Sequence, residues 1–211
     1  MIRKSGQIAF NRSKRAEPIK YIVIHTTGNK NVGANAQAHF NYWNSGNVGQ
    51  SADYAVDDTT IYKLNDYNLY YTWHCGDGKG KYGITNSNSI GIEICVNSDG
   101  DFNAAVDNAV VLVKELMRSL KIDLNHVVRH YDASRKNCPA DLAGNNWSAW
   151  HDFKRRLAEP TELETVNDIV WELAERGIIT DKALWLKKLA EDKNDYWLAR
   201  KMVNYIRNAG V

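Results

Sequence analysis

SIGIEICV, Ser89 to Val96, alternates Ile90, Ile92, Ile94 and Val96 with Gly91, Glu93 and Cys95. Side chains on a strand point to opposite faces in turn, so this segment reads as a β-strand with one aliphatic face and one carrying a glycine, a carboxylate and a thiol. Upstream, Lys20 to His25 (KYIVIH) reads as a buried strand that ends in the turn signal Thr26-Thr27-Gly28-Asn29. Asn35 to Asn44 reads as a helix with Ala36, His39, Phe40 and Trp43 on one face. Tyr54 to Val56 and Thr60 to Leu64 form a hairpin about Asp57-Asp58. Downstream, Phe102 to Leu120 is the longest helix, with Val106, Ala109, Val110, Val113, Leu116 and Met117 at helical spacing, and Asn125 to His130 is again strand-like. Alternation of this kind defines an α/β class, a sheet covered by helices.

A chain of 211 residues holds one substantial domain plus a small appendage. With 44% hydrophobic and 25% charged residues it lies in the ordinary globular range, which excludes disorder. A net charge of +2 is too weak to argue for a nucleic-acid partner. No run approaches the ~18 apolar residues of a membrane span. The basic N-terminal stretch MIRKSGQIAFNRSKR has no apolar segment behind it, so it reads as an exposed arm or first short strand and not as a secretory signal. Cysteines 75, 95 and 138 make no even disulfide framework. A reducing compartment, with one thiolate given to metal, fits them best and disfavours a Cys75–Cys95 bridge.

The texture changes at Pro160. Leu163, Val166, Ile169, Val170 and Leu173 recur at helical spacing, and Gly177 is placed as a helix C-cap. Asp181 is expected to cap a second helix carrying Leu184, Trp185 and Leu189, and Asn194 a third carrying Leu198, Met202, Tyr205 and Ile206. Residues 1–158 therefore form a main domain, and 161–211 a small C-terminal three-helix module. From residue 159 onward the balance is −2, from eight basic and ten acidic residues, so the module is no polybasic anchor. Trp171, Trp185, Tyr196 and Trp197 are expected in its core rather than on a ligand surface.

Within the main domain, HYDASRKNCP (His130 to Pro139) sets an imidazole and a thiol eight residues apart, with Lys136 two positions before the cysteine. His25 lies far upstream. Two histidines and one cysteine make a three-ligand zinc set that leaves the fourth position for water, whereas structural zinc normally closes with four protein ligands. Taken singly, each has a plainer explanation. A lone histidine at a strand end is most often structural, and a free cysteine is most often a small core residue. Cys138, however, lies in a polar Asn/Lys/Arg-rich loop, a poor place for an inert thiol and one whose cations favour the thiolate. His126 is read as structural, since HVVRH has no Glu in its second position and its valines favour a strand. His39 is read as a core histidine.

The order strand-His25-Thr26-Thr27, Asp53-Tyr54, TWHCGDG (Thr72 to Gly78), SIGIEI (Ser89 to Ile94) and RHYD…KNCP resembles the zinc-dependent N-acetylmuramoyl-L-alanine amidases of type 2. That group includes phage lysozyme-type amidases and is similar to animal peptidoglycan recognition proteins. The resemblance runs from about residue 18 to 157. It implies a mixed, largely parallel central sheet flanked by helices, and hydrolysis of the amide joining the lactyl group of N-acetylmuramic acid to L-alanine. It also implies Zn2+ held by His25, His130 and Cys138, which would lower the pKa of a water from ~15.7 toward ~7. Glu93 would take that water's proton, where the plainer alternative is a solvated strand face. Lys136 would stabilise the oxyanion, where the alternative is a solvated loop lysine. Tyr54 is a further catalytic candidate, otherwise ordinary packing, and His74 is expected to contact sugar or peptide.

Three readings compete: a phage or prophage endolysin, a non-catalytic peptidoglycan-binding module, and a protein with structural zinc. Binding modules generally lack the cysteine ligand, and a structural site would need His74 or His126 as a fourth ligand, so the amidase is preferred. A cytoplasmic wall-recycling amidase would share the first domain. The expected partner is bacterial peptidoglycan, with a secondary wall polymer or self-association through the C-terminal helices, and neither nucleic acid nor membrane. The expected location is the host cytoplasm until release to the wall.

Overall fold

The computed structural model describes residues 1–159 and 166–209 and divides into two compact units, Met1–Ala158 and Glu159–Val211. In the first unit a six-stranded sheet is built from β1 (Ile2–Ser5), β3 (Tyr21–Thr26), β4 (Tyr54–Val56), β5 (Thr60–Lys63), β7 (Ser89–Ile94) and β8 (Val127–Arg129). Its order is β1-β5-β4-β7-β3-β8. All neighbours are parallel except the β4–β5 hairpin, so the sheet is mixed and largely parallel. Strands β2 (Arg12–Lys14) and β6 (Tyr70–Thr72) pair antiparallel in a separate small sheet.

The alternation in Ser89–Ile94 decides the layering. Ile90, Ile92 and Ile94 join Ile22 and Ile24 of β3 on one face, and α2 (Phe102–Leu120) and α4 (Gly144–Ala158) cover them through Val106, Ala109, Val113, Leu116, Phe153 and Leu157. Helix α2 spans the residues that periodicity assigned to it, and Asp101 caps it by accepting from the backbone N–H groups of Asn103 and Ala104. The opposite face carries His25 of β3 and Gly91, Glu93 and Cys95 of the β7 segment. Helix α1 (Ala36–Trp43), capped by Asn35, packs there with Ala36 and Trp43 against Ala55 and Cys95. Asn125 to His130 departs from the strand expectation: Leu124–His126 is a 3-10 turn, only Val127–Arg129 is extended, and His130 opens a short helix α3 (His130–Ser134).

The second unit consists of α5 (Val166–Glu175), α6 (Lys182–Glu191) and α7 (Lys193–Ala209) around Ile169, Val170, Leu173, Ile179, Leu189, Ala199 and Val203. Leu163, assigned above to its first helix, lies outside the described residues. Gly177 is left-handed after α5, and Asp181 caps α6 by accepting from Leu184 N–H. The third cap is Asp192, not Asn194: its carboxylate accepts from the N–H groups of Asn194 and Asp195, so the helix begins earlier. The tryptophans divide. Trp185 packs against the core, whereas Trp171 and Trp197 are 53% and 52% exposed, with Lys182 and Arg200 over their rings.

Candidate metal centre and catalytic cleft

His25, His130 and Cys138 come from three elements, and each is delivered by a local device. His25 is the fifth residue of β3, so the strand's period turns it away from the aliphatic face; it is 1% exposed. Its Cα partner across the ladder is Glu93, which places the imidazole and the carboxylate side by side on one face. His130 opens α3, where the Asp132 carboxylate accepts from Arg129 N–H and from the Arg129 guanidinium. Arg135 ends that helix in a left-handed conformation, and Tyr131 N–H donates 2.9 Å to Cys138 O. That hydrogen bond closes the His130–Cys138 loop and sets the thiol beside the imidazole.

The three donor atoms lie within 4.8 Å of one another, and among the described residues this is the group so arranged. Cys138 Sγ is 3.7 Å from His25 Nδ1, and the His25 and His130 rings are 4.6 Å apart. His130 Nδ1 is buried without a hydrogen-bond partner. Burial lowers the pKa of both histidines, keeping them neutral with a lone pair available, while burial pushes the Cys138 thiol up to about 12. A buried pair of neutral imidazoles beside a thiol that needs a cation to ionise is the donor chemistry of a metal site.

One loop holds the outer nitrogens of both imidazoles. Thr72 to Gly78 (TWHCGDG) carries His74, whose Nδ1 lies 3.1 Å from His25 Nε2 and whose Nε2 lies 3.1 Å from Ser89 Oγ. Both ring nitrogens are therefore engaged, and burial holds the ring neutral with a pKa of about 3. His74 lines the cleft where a sugar or peptide contact was expected of it, but both ring nitrogens face protein groups, so such a contact would be made by the ring's carbon atoms. The same loop brings Asp77, whose Oδ1 is 2.7 Å from His130 Nε2 and whose Oδ2 accepts from Ser134 Oγ. Burial alone would raise the Asp77 pKa, but the His130 and Ser134 hydrogen bonds bring it below the usual range. Neither Asp77 nor Ser89 stood out in the sequence. The available signal was Gly78, where a Cβ would sit 2.1 Å from Ala133 O, so the loop must approach α3 closely there.

His25, His74, His130 and Cys138 line one cleft of about 640 Å³ together with Thr26 to Asn29, Trp43, Trp73, Glu93 and Lys136. Glu93 faces it with one edge, while Oε2 is shut off from solvent and has no hydrogen-bond partner. Burial, partly offset by Lys136, raises its pKa from 4.5 to about 7. It is not a solvated strand face. Lys136 is exposed at the rim. Tyr54 is elsewhere. Its register partner is Ile92, so it lies on the aliphatic side of the sheet with Tyr67, in a pocket lined by Arg3, Lys63 and Leu112. Parity excludes it from the cleft and corrects its candidacy. His126 pairs with Asp123 at the surface, and His39 lies buried on α1 with Nδ1 2.9 Å from Asn35 O, its ring forming part of the cleft wall. All three cysteines are free.

A mixed α/β sheet puts one imidazole and an unpartnered carboxylate on the same face, and the adjoining helix and loop bring a second imidazole and a thiol beside them, a donor set suited to metal-assisted hydrolysis. The match to the N-acetylmuramoyl-L-alanine amidase family model, over residues 15–141, makes the assignment specific: the chain belongs to that family. It is 43% identical over 149 residues to the N-acetylmuramoyl-L-alanine amidase XlyA of Bacillus subtilis, a match covering 69% of this chain and 46% of that one. The solved catalytic domain of XlyA superposes with a TM-score of 0.67 at 40% identity, covering 75% of this chain and all of that one. A mutant endolysin from Bacillus subtilis matches with a TM-score of 0.67 at 41% identity, covering 74% and 99%. The chain spans about half the length of the curated relatives it matches.

Proposed function

We propose that this chain is an endolysin-type, zinc-dependent N-acetylmuramoyl-L-alanine amidase that cleaves the bond between the lactyl carboxyl of N-acetylmuramic acid and the amine of L-alanine. The reading rests on one observation above others: Glu93, with Oε2 unpartnered, shares a sheet face with His25 and a cleft with His25, His130 and Cys138. Those three residues would hold the ion, and two imidazoles with one thiolate suit zinc. A zinc ion held there would supply Lewis acidity to the scissile carbonyl and lower the pKa of a water.

The chain's own groups do the rest. Glu93 accepts a proton from the attacking water as the new C–O bond forms. Lys136, at the rim, donates to the carbonyl oxygen as it gains negative charge, a contribution of about 3 kcal/mol for comparable donors. The C–N bond then breaks, and Glu93 returns its proton to the departing amine. The products are a lactyl carboxylate and a free L-alanine amino terminus. Trp43 and Trp73 offer flat walls on which a sugar can stack.

The C-terminal helices serve retention on the wall, because a diffusing enzyme on an insoluble polymer gains effective concentration from a second site. Exposed Trp171 and Trp197 give that module a surface suited to glycans. Synthesis in the cytoplasm of an infected bacterium, with release through a separate membrane-permeabilising partner, completes the endolysin reading.

The test pairs zinc content with turbidity of purified peptidoglycan, scoring new L-alanine termini against new reducing ends. One zinc per chain with L-alanine termini, abolished in Cys138→Ala, is expected. New reducing ends would show the bond assignment to be wrong, and zinc without cleavage would leave a binding role.

A further inference from the structure

A neutral imidazole offers a lone pair only on the nitrogen that carries no proton. The His25 nitrogen that faces Cys138 is Nδ1, so a metal can be held there only if the ring is the Nε2–H tautomer. What selects that tautomer can be traced from a fixed end. The carbonyl oxygen of Thr85 only accepts, so Ser89 Oγ, which contacts it, is the donor. The hydroxyl's single proton is thereby committed. At its 3.1 Å contact with His74 Nε2, Ser89 Oγ must accept, and the proton sits on His74 Nε2. With one proton on the ring, His74 Nδ1 is an acceptor, and the 3.1 Å contact beyond it is made by a proton on His25 Nε2.

We propose that His74 is a positioning residue which, through Ser89 and the Thr85 carbonyl, holds His25 in the Nε2–H tautomer and keeps Nδ1 open for a metal ion. The surroundings are shaped for it. A Cβ on Gly91 would lie 2.5 Å from His74 Cγ, so the ring rests directly on a strand with no side chain beneath it. Asn86 Oδ1 accepts from both His74 N–H and Cys75 N–H, fixing the loop backbone. Thr85 is held in turn by its N–H donating 2.9 Å to Asn88 Oδ1.

The two histidines are thus oriented by different means. Asp77, a carboxylate, accepts from His130 whatever lies behind it. His74 is neutral and can face either way, so its polarity is decided two groups away, at the Thr85 carbonyl. Removing the Ser89 hydroxyl frees His74 to carry its proton on Nδ1. That proton would point at His25 Nε2 and drive the His25 proton onto Nδ1, where the metal would bind.

The inference rests on the reading of His25 as a metal ligand, and its test does not use amide cleavage. Long-range 1H–15N correlation spectra of the 15N-labelled, metal-free protein distinguish protonated from bare imidazole nitrogens. Wild type is expected to show His25 and His74 both as Nε2–H. Ser89→Ala is expected to show Nδ1–H at His25 and a fall of about 10- to 100-fold in zinc affinity by chelator competition. Nδ1–H at His25 in wild type would overturn the proposal, and this spectrum decides it even if Ser89→Ala does not fold. A Ser89→Ala protein with tautomer and zinc affinity unchanged would also overturn it. Zinc bound by a correctly protonated His25 without any peptidoglycan cleavage would support the proposal and sink the amidase reading.

Discussion

Replacing Glu93 by Gln separates what the carboxylate does for catalysis from what it costs the fold. Burial raises its pKa from 4.5 to about 7, with Lys136 only partly opposing. One pH unit of such displacement corresponds to about 1.4 kcal/mol, so the ionised side chain costs the folded state about 3 kcal/mol. The sign follows from proton counts. Below pH 4.5 the group is protonated in both states and nothing is lost. Between 4.5 and about 7 the folded protein keeps a proton that the unfolded chain releases, so stability falls as pH rises. Above 7 the full cost is present. Urea denaturation of metal-free wild type and Glu93→Gln at pH 5 and pH 8 isolates this contribution, because every other titrating group is common to both proteins. Relative to wild type, the variant should gain about 2–3 kcal/mol more at pH 8 than at pH 5. A bound dication would favour the carboxylate and shrink that gain. Turnover on peptidoglycan should fall by about 10²–10⁴, the usual contribution of a positioned general base. In wild type, turnover should fall at acid pH as Glu93 takes up its proton, with a midpoint that the bound dication moves below the metal-free value of about 7. An equal gain at both pH values, or wild-type turnover in the variant, would refute the assignment.

Asp77→Ala should weaken metal binding by about 10- to 100-fold in chelator competition. It should leave the circular dichroism spectrum intact, since the side chain is 48% exposed. Lys136→Ala should lower turnover by about 10²–10³ with zinc content unchanged, as expected of an oxyanion donor; loss of metal instead would make it structural. Tyr54→Phe should leave turnover unchanged, because the phenol lies across the sheet from the cleft, and a large loss would mean the strand parity argument fails.

How much was legible follows from where each residue's constraint lies. The strand at Ser89–Ile94 announces itself because its period is set by burial on one face, and the same period places Glu93 beside His25. That rule, applied one strand over, would have removed Tyr54 from the site: only odd-numbered β7 positions face the cleft, and Tyr54 pairs with Ile92. The proposed metal ligands were visible as residue types, His25 at the end of an apolar strand and His130 and Cys138 about a polar loop. Their supports were not, because a hydrogen bond from His130 to Asp77 or from His74 to Ser89 imposes no periodicity on the chain. What it imposes is space. Gly78 and Gly91 are the positions where the loop meets α3 and where the His74 ring meets β7, and a side chain at either would collide within 3 Å. In a sequence those glycines read as a turn and a weak point in a strand. Only the contact turns them into evidence that His25 and His130 are both gripped by one loop. On the proposed reading, this loop rather than the sheet would set how tightly an ion is held, since the strand delivers His25 while its χ2 orientation is fixed by the contact with His74.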